Sequence, residues 1–198
     1  MLREEERKEY LRPKLTEFGM ALGRGFLPPE DPLTELPTDF KFLDQFGNDI
    51  PNLIESGKIV ETVKSLPTPS VANLESLDRR ERDRAMMIYH FGQSAVVKST
   101  TSPSVIIPRQ LAVPAFWLSN AFGKPPILSY CSYALNNWKR VDPAQDIVLD
   151  NLELLQNFVR VYDEDWFILP HVAIERQAAD VIESGVLACQ LALVRNDR

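Results

Sequence analysis

Histidine, cysteine and long apolar runs are what this 198-residue sequence has least of, and each shortage narrows what it can do. The two histidines, His90 and His171, leave very few candidates for metal ligation or for proton transfer near neutral pH. The two cysteines, Cys131 and Cys189, lie in apolar, helix-forming surroundings. They read as reduced packing residues of a cytoplasmic protein, not as a disulfide or a metal site. No run of 18 apolar residues occurs, so no membrane-spanning helix and no membrane role is expected. Met1 is followed by Leu2, Arg3 and Glu4, not by the apolar core of a secretory signal. A basic stripe is missing too. The net charge is −6, with lysine and arginine scattered or paired with glutamate, which argues against a nucleic-acid partner.

What is present is ordinary for a globular chain: 44% hydrophobic and 25% charged residues, enough length for one large domain. Residues 1–12 favour a solvated, frayed helix that Pro13 should end or kink. Residues 25–51 hold five of the fifteen prolines and read as an extended wrap pinned by aromatics such as Phe26, Phe40, Phe42 and Phe46. Residues 52–66 fit one or two short helices with Gly57 between them. Asn73 or Ser76 is a candidate cap for the next helix, whose buried stripe is Ala85, Ile88, Gly92 and Ala95. His90 lies off that stripe, beside Tyr89 and Phe91, and reads as a structural or surface histidine. Residues 100–104 are a polar loop; Pro108 and Pro114 bracket a turn, Pro114 opens a helix and Gly123 ends it. Leu149, Leu152, Leu155 and Phe158 step by three and suggest another amphipathic helix.

Two stretches carry the chemistry. Residues 125–138 (Pro-Pro-Ile-Leu-Ser-Tyr-Cys-Ser-Tyr-Ala-Leu-Asn-Asn-Trp) open on two prolines suited to a helix start and place Leu128, Cys131, Leu135 and Trp138 on one stripe. Tyr130, Tyr133, Ala134 and Asn137 form a second stripe, either buried with partnered phenols or lining a pocket for a flat aromatic ligand. The last helix, about 166–195, carries a stripe of Ile174, Ala178, Ile182, Gly185, Cys189 and Ala192, and residues 185–194 are apolar at nearly every position. Such a segment needs cover on all sides, so a second chain or a further domain is expected over it. Phe167 and His171, four apart, share a helix face. By itself His171 reads as a core histidine. Pro170 implies that the helix starts near Leu169 or kinks there, and Asp163 and Glu164 read as helix N-terminal charge.

Residues 125–130, Asn136-Asn137-Trp138 and residues 163–175 (Asp-Glu-Asp-Trp-Phe-Ile-Leu-Pro-His-Val-Ala-Ile-Glu) together resemble the indoleamine 2,3-dioxygenase family. Gly25-Phe-Leu-Pro28 with Asp31-Pro-Leu33 and Leu36-Pro37, the run 51–57 with Val63 and Leu66-Pro67, and residues 108–114 match it in the same order. The resemblance implies a mostly α fold. Residues 1–160 would form a small N-terminal helical domain with the proline-rich wrap, and 161–198 would begin a large haem domain that the chain leaves short. It also implies a haem b dioxygenase opening the indole ring of L-tryptophan, or another indoleamine, with O₂ to give N-formylkynurenine, in tryptophan catabolism along the kynurenine pathway. His171 would accept the indole N–H bond or take its proton on the distal side of the haem, where Phe167 also lies. Phe167 and Ile168 would pack on the indole, Tyr130 would contribute a ring edge, and Tyr133 and Ala134 would shape the far end. In the family the proximal histidine and the arginine for the substrate carboxylate come later than residue 198. The alternative from another class is a non-catalytic interaction subunit or remnant that pairs through its terminal helix.

Overall fold

The computed structural model describes residues 4–99 and 105–196, so the polar loop expected at 100–104 lies outside the described residues. The fold is mostly α. Its helices are α1 (Glu4–Glu17), α2 (Lys41–Glu55), α3 (Ile59–Ser65), α4 (Val71–Ser76), α5 (Arg79–Lys98), α6 (Arg109–Ala121) and α7 (Tyr162–Asn196). Between α6 and α7 come a π-helical turn, Cys131–Leu135, and a hairpin of β1 (Trp138–Arg140) and β2 (Leu152–Leu154). These strands pair antiparallel, Trp138 opposite Leu154 and Arg140 opposite Leu152.

α5 is the central element. Met86, Met87, Ile88, Tyr89 and Phe91 are all essentially inaccessible, so it is covered on every side, as a helix apolar all round must be. α2, α3, α4 and α6 pack around it through Leu43, Phe46, Ile50, Ile59, Val63, Leu74, Leu111 and Leu118. Each such side chain contributes roughly 1.5–3 kcal/mol. Gly92 lets α2 and α6 approach, because a Cβ there would lie 2.8 Å from the Phe46 ring. Gly57, at φ +69°, makes the break between α2 and α3 that its position suggests.

Caps come from residues other than those expected. Asn73 and Ser76, the candidate caps of α5, lie instead within the short helix α4, where Ser70 is the cap and Asn73 returns the bond to complete a capping box. Asp78, not Ser76, caps α5 in the same way with Glu81.

The wrap is shorter than the sequence suggests, because α2 already begins at Lys41. Ion pairs hold it as firmly as aromatics do. Asp31 accepts from Arg24 at 2.9 Å and Arg140 at 2.7 Å. Arg84 bonds Asp44 at 2.7 Å and the Leu33 carbonyl at 3.0 Å. Phe40 and Phe46 are buried, while Phe26 stays exposed.

Proline does not stop helices here. α1 runs over Pro13, α2 over Pro51, α6 over Pro114 and α7 over Pro170. In each case nearly inaccessible apolar side chains flank the proline: Leu11 and Leu15, Ile50 and Leu53, Leu111 and Ala115, Leu169 and Val172. The burial of each helix's apolar face offsets the ~3 kcal/mol of an interior proline. Thus α6 starts at Arg109, not at Pro114, and α7 starts eight residues ahead of Pro170.

Two expected helices are something else. Residues 125–138 give only the turn around Cys131–Leu135, because Pro125 and Pro126 enter a tight turn (Ile127 N–H to Pro125 O, 2.9 Å). The Ser129 hydroxyl then accepts from the Ser132 amide. Trp138 leaves the helical path for β1, and its indole N–H donates to Leu135 O at 2.7 Å. Residues 149–158 form a 3₁₀ turn and β2 instead of an amphipathic helix. Asn151 folds this loop by donating to Asp142 O and Asp146 O and accepting from the Asp142 amide.

α7 is one 35-residue helix and the spine to which the other parts attach. Its buried face is Ile168, Leu169, Val172 and Ala179, not the stripe read from sequence, of which Ile174, Gly185, Cys189 and Ala192 are exposed. Leu169 and Val172 join Leu27, Trp138 and Leu152 in a second core. The Gly23 amide donates to Glu183, and Gly25 (φ +61°) runs so close that a Cβ would lie 3.0 Å from Glu175 O. α1 is not a solvated helix. Leu11 and Leu15 pack on Ile182, Val186 and Leu187, and Lys14 donates to Gln190 at 3.0 Å. The apolar 185–194 segment is therefore covered on one side, while Leu191 and Leu193 remain exposed.

Candidate functional site

The π-helical turn and the first half of α7 face each other, and their aromatic side chains form one connected wall. His171 stands edge-on to Tyr130, with ring centroids 5.7 Å apart, and to Phe167, at 5.5 Å. Tyr133 lies 6.4 Å from Phe167 and continues the wall to Phe158 at 6.1 Å and Phe91 at 5.7 Å. Phe91 and Phe158 close the row behind it at 4.6 Å. Aromatic pairs at such tilts and spacings gain about 0.5–1.5 kcal/mol beyond burial.

The outer part of the wall is open. Phe167 is 60% exposed and Tyr130 51%. Ala134 and Ile168 sit behind it, at 2% and 0% exposure. Of the six sequence-derived site residues, four rings therefore share the wall and two small or branched residues back it.

His171 Nδ1 lies 2.7 Å from the Phe167 carbonyl oxygen. A carbonyl only accepts, so Nδ1 is the donor of this contact, and Nε2 is the acceptor nitrogen of the neutral ring. Burial raises the Tyr133 phenol above its ordinary pKa, and the Glu164 carboxylate adds to this. Burial, followed by Glu175, does the same at Tyr130. Both phenols are therefore neutral hydrogen-bonding groups, not nucleophiles.

His90 does not belong to the wall. It is 1% exposed, and its Nε2 meets the Ser119 hydroxyl at 3.1 Å between α5 and α6. Burial, helped by Lys124, lowers its pKa to about 4, so it is a neutral structural group. Cys131 is partly buried, and burial pushes its thiol pKa up; Cys189 is exposed on α7, not packed. Among the described residues no cluster of three His, Cys, Asp or Glu side chains is placed to hold a metal ion. No helix among them is long and apolar enough to cross a membrane.

Sequence reasoning missed three members of this region. Phe158 looked like a helical step, and Phe91 looked like a neighbour of His90. Glu164 looked like plain first-turn charge. It is 7% exposed and accepts the backbone N–H groups of Phe158 and Val159 at 2.9 Å each. No periodicity announces a carboxylate folded back on the linker before its own helix.

Residues 14–198 match the family model described as indoleamine 2,3-dioxygenase. The chain is 32% identical to indoleamine 2,3-dioxygenase 1 of Rattus norvegicus over 86% of its own length and 42% of that protein. It is 30% identical to indoleamine 2,3-dioxygenase 2 of Homo sapiens over 87% and 42%. It is also similar to the 6-hydroxytryptophan 2,3-dioxygenase of Fusarium equiseti, at 26% identity over 95% and 46%. The chain thus spans about two fifths of the length of the curated relatives it matches. With the fold, the wall and these matches together, the chain belongs to the indoleamine 2,3-dioxygenase family.

Proposed function

We propose that this chain supplies the distal wall of a haem dioxygenase that opens the indole ring of L-tryptophan, or a hydroxylated tryptophan, with O₂. The observation that carries the reading is the exposed Tyr130–His171–Phe167 cluster on a chain of this family. Its flat apolar rings fit one face of a haem and of an indole lying over it. Phe167 and His171 would border the haem, and residues 161–198 would begin the part that holds it.

Bound haem iron would supply the activation of O₂. The protein's share is orientation and exclusion of water. The indole plane lies against Phe167, with the buried Ile168 next to it in α7. Tyr130 presents its ring edge, and Tyr133 with Ala134 limits how far the ring can slide. The indole N–H would meet His171 Nε2, the ring nitrogen not engaged by the Phe167 carbonyl. That bond fixes the ring and allows the proton to move to His171 as the ring opens.

The test is to join this chain to the later, haem-holding part of a family relative, titrate the joined protein with haem, then supply L-tryptophan, O₂ and a reductant. Saturable haem binding and tryptophan-dependent N-formylkynurenine formation are expected. Haem-loaded protein that leaves tryptophan and its hydroxylated analogues unchanged would falsify the proposal.

A second reading is favoured by α7. Ile174, Val181, Leu191 and Leu193 are exposed along it, although α1 covers Ile182, Val186 and Leu187, and exposed apolar side chains of this kind suit another polypeptide. Sedimentation of the protein over a hundredfold concentration range checks it. A monomer throughout speaks against pairing between copies.

A further inference from the structure

Glu164 is built in a way that first-turn helix charge does not require. An acidic residue there would be favoured by the helix dipole from any exposed position. Instead its carboxylate is buried and holds the backbone ahead of α7. Oε1 accepts from the Phe158 amide at 2.9 Å. Oε2 accepts from the same amide at 3.1 Å and from the Val159 amide at 2.9 Å. Next to it Asn157 donates to Asp165 at 3.2 Å, a second tie between the linker and the first turn.

The clamped residue is the one whose ring supports the wall. Phe158 packs on Phe91 at 4.6 Å and on Tyr133 at 6.1 Å, and Tyr133 packs on Phe167 at 6.4 Å. Phe167 in turn receives the His171 N–H on its carbonyl. The order of contact runs from carboxylate to linker backbone, to the Phe158 ring, to Tyr133, and so to the Phe167–His171 edge. Bonds from amides to a buried charge are short and strong, whereas ring-on-ring contacts slide with little penalty. The carboxylate therefore sets where the rings stop.

We infer that Glu164 is a positioning residue for the candidate site: it locks Phe158 and through it fixes Tyr133 and Phe167 in the register that presents His171 Nε2 to a ligand. This rests on the reading that the wall is the ligand face, but its first test does not.

Glu164→Gln keeps the shape and loses one acceptor oxygen; Glu164→Ala loses both. The first measurement is proton NMR of the 198-residue chain, comparing ring-to-ring cross-peaks for Tyr133–Phe167 and Tyr130–His171. The indole N–H of Trp138, in the separate core, serves as internal reference. Both variants are expected to keep the Trp138 signal while the Tyr133–Phe167 cross-peaks fall at least twofold and the His171 ring signals shift. Unchanged cross-peaks in both variants, or loss only together with the Trp138 signal, overturns the inference. The second measurement is KM against kcat for the indole substrate in the haem-loaded protein. A rise in KM of about tenfold, larger than the fall in kcat, is expected for Glu164→Gln; kcat falling alone overturns it. If the unsubstituted protein shows no turnover, the dioxygenase reading fails while the NMR comparison still decides the role of Glu164.

Discussion

His171 and Tyr130 meet edge to face at 78°, with ring centroids 5.7 Å apart, although one belongs to α7 and the other opens the π-helical turn. The same histidine is tied through Nδ1 to Phe167 O at 2.7 Å. One ring is thus held both by its own helix and by a neighbouring element. His171→Phe keeps a ring against Tyr130 and removes the acceptor, whereas His171→Ala removes both. On the proposed function, both should slow tryptophan turnover in the haem-loaded protein by about a hundredfold or more, the scale of a positioned general base. Rates equal to the unsubstituted protein in His171→Phe would show that Nε2 plays no part.

A second expectation concerns acid. His90 is buried neutral, with a pKa of about 4 against 6.5 in an unfolded chain. Between those values the unfolded state binds the extra proton. The stability His90 contributes is therefore complete above pH 6.5 and is lost as pH falls towards 4. The loss is on the order of 3 kcal/mol at the acid end. Urea unfolding measured across this window should show the slope, and His90→Gln should flatten it.

The close approach of α2, α5 and α6 gives a third. A methyl group at position 92 would sit 2.8 Å from Phe46 and 3.2 Å from Leu111. Both neighbours are buried core side chains. Gly92→Ala should lower stability by about 1–3 kcal/mol despite the better helix propensity of alanine. Thermal unfolding decides it; an unchanged or raised Tm would contradict the packing described.

Asn137 gives a fourth. It is fully buried and pairs with Gln156 like a rung of sheet: Nδ2 donates to Gln156 O and Oδ1 accepts from Gln156 N, both at 2.8 Å. Gln156 then donates to Gly47 O at 2.6 Å, which ties α2 to the hairpin. Asn137→Ala leaves a buried amide and a carbonyl without partners and should destabilise the fold by roughly 2–4 kcal/mol. Gln156→Ala in the same background should then add less than it does alone, because the two belong to one network. Full additivity of the two effects would count against the network.

α5 and α7 were legible as helices, but not the face each buries: α5 is covered on every side, and α7 buries Ile168, Leu169, Val172 and Ala179 instead of the stripe its spacing suggests. Gly57 and Gly123 were readable because each break needs φ > 0. Elsewhere tertiary contacts overrode local signals. The apolar residues either side of Pro114 carry α6 through it. The step of three from Leu149 to Phe158 fits neither a helix nor a strand, and there Asn137 and Asn151 decide the path with side-chain amides. The pairing of Phe167 with His171 followed from their spacing of four. Their meeting with Tyr130 and Tyr133 depended on a fold that only the family resemblance suggested. Glu164 was unreadable because its partners are backbone amides, which every residue but proline carries.

α7 has one more consequence, for how the molecule is made. The residues that hold this helix in place are Gly23 and Gly25, Leu11 and Leu15, Trp138 and Leu152, and the Phe158–Val159 linker. All precede it in the chain. During synthesis the ribosome therefore delivers the helix last among its described contacts, onto a bed already assembled. Until then Leu27, Trp138 and Leu152 have no cover from Leu169 and Val172, so this second core is open to a chaperone until α7 emerges.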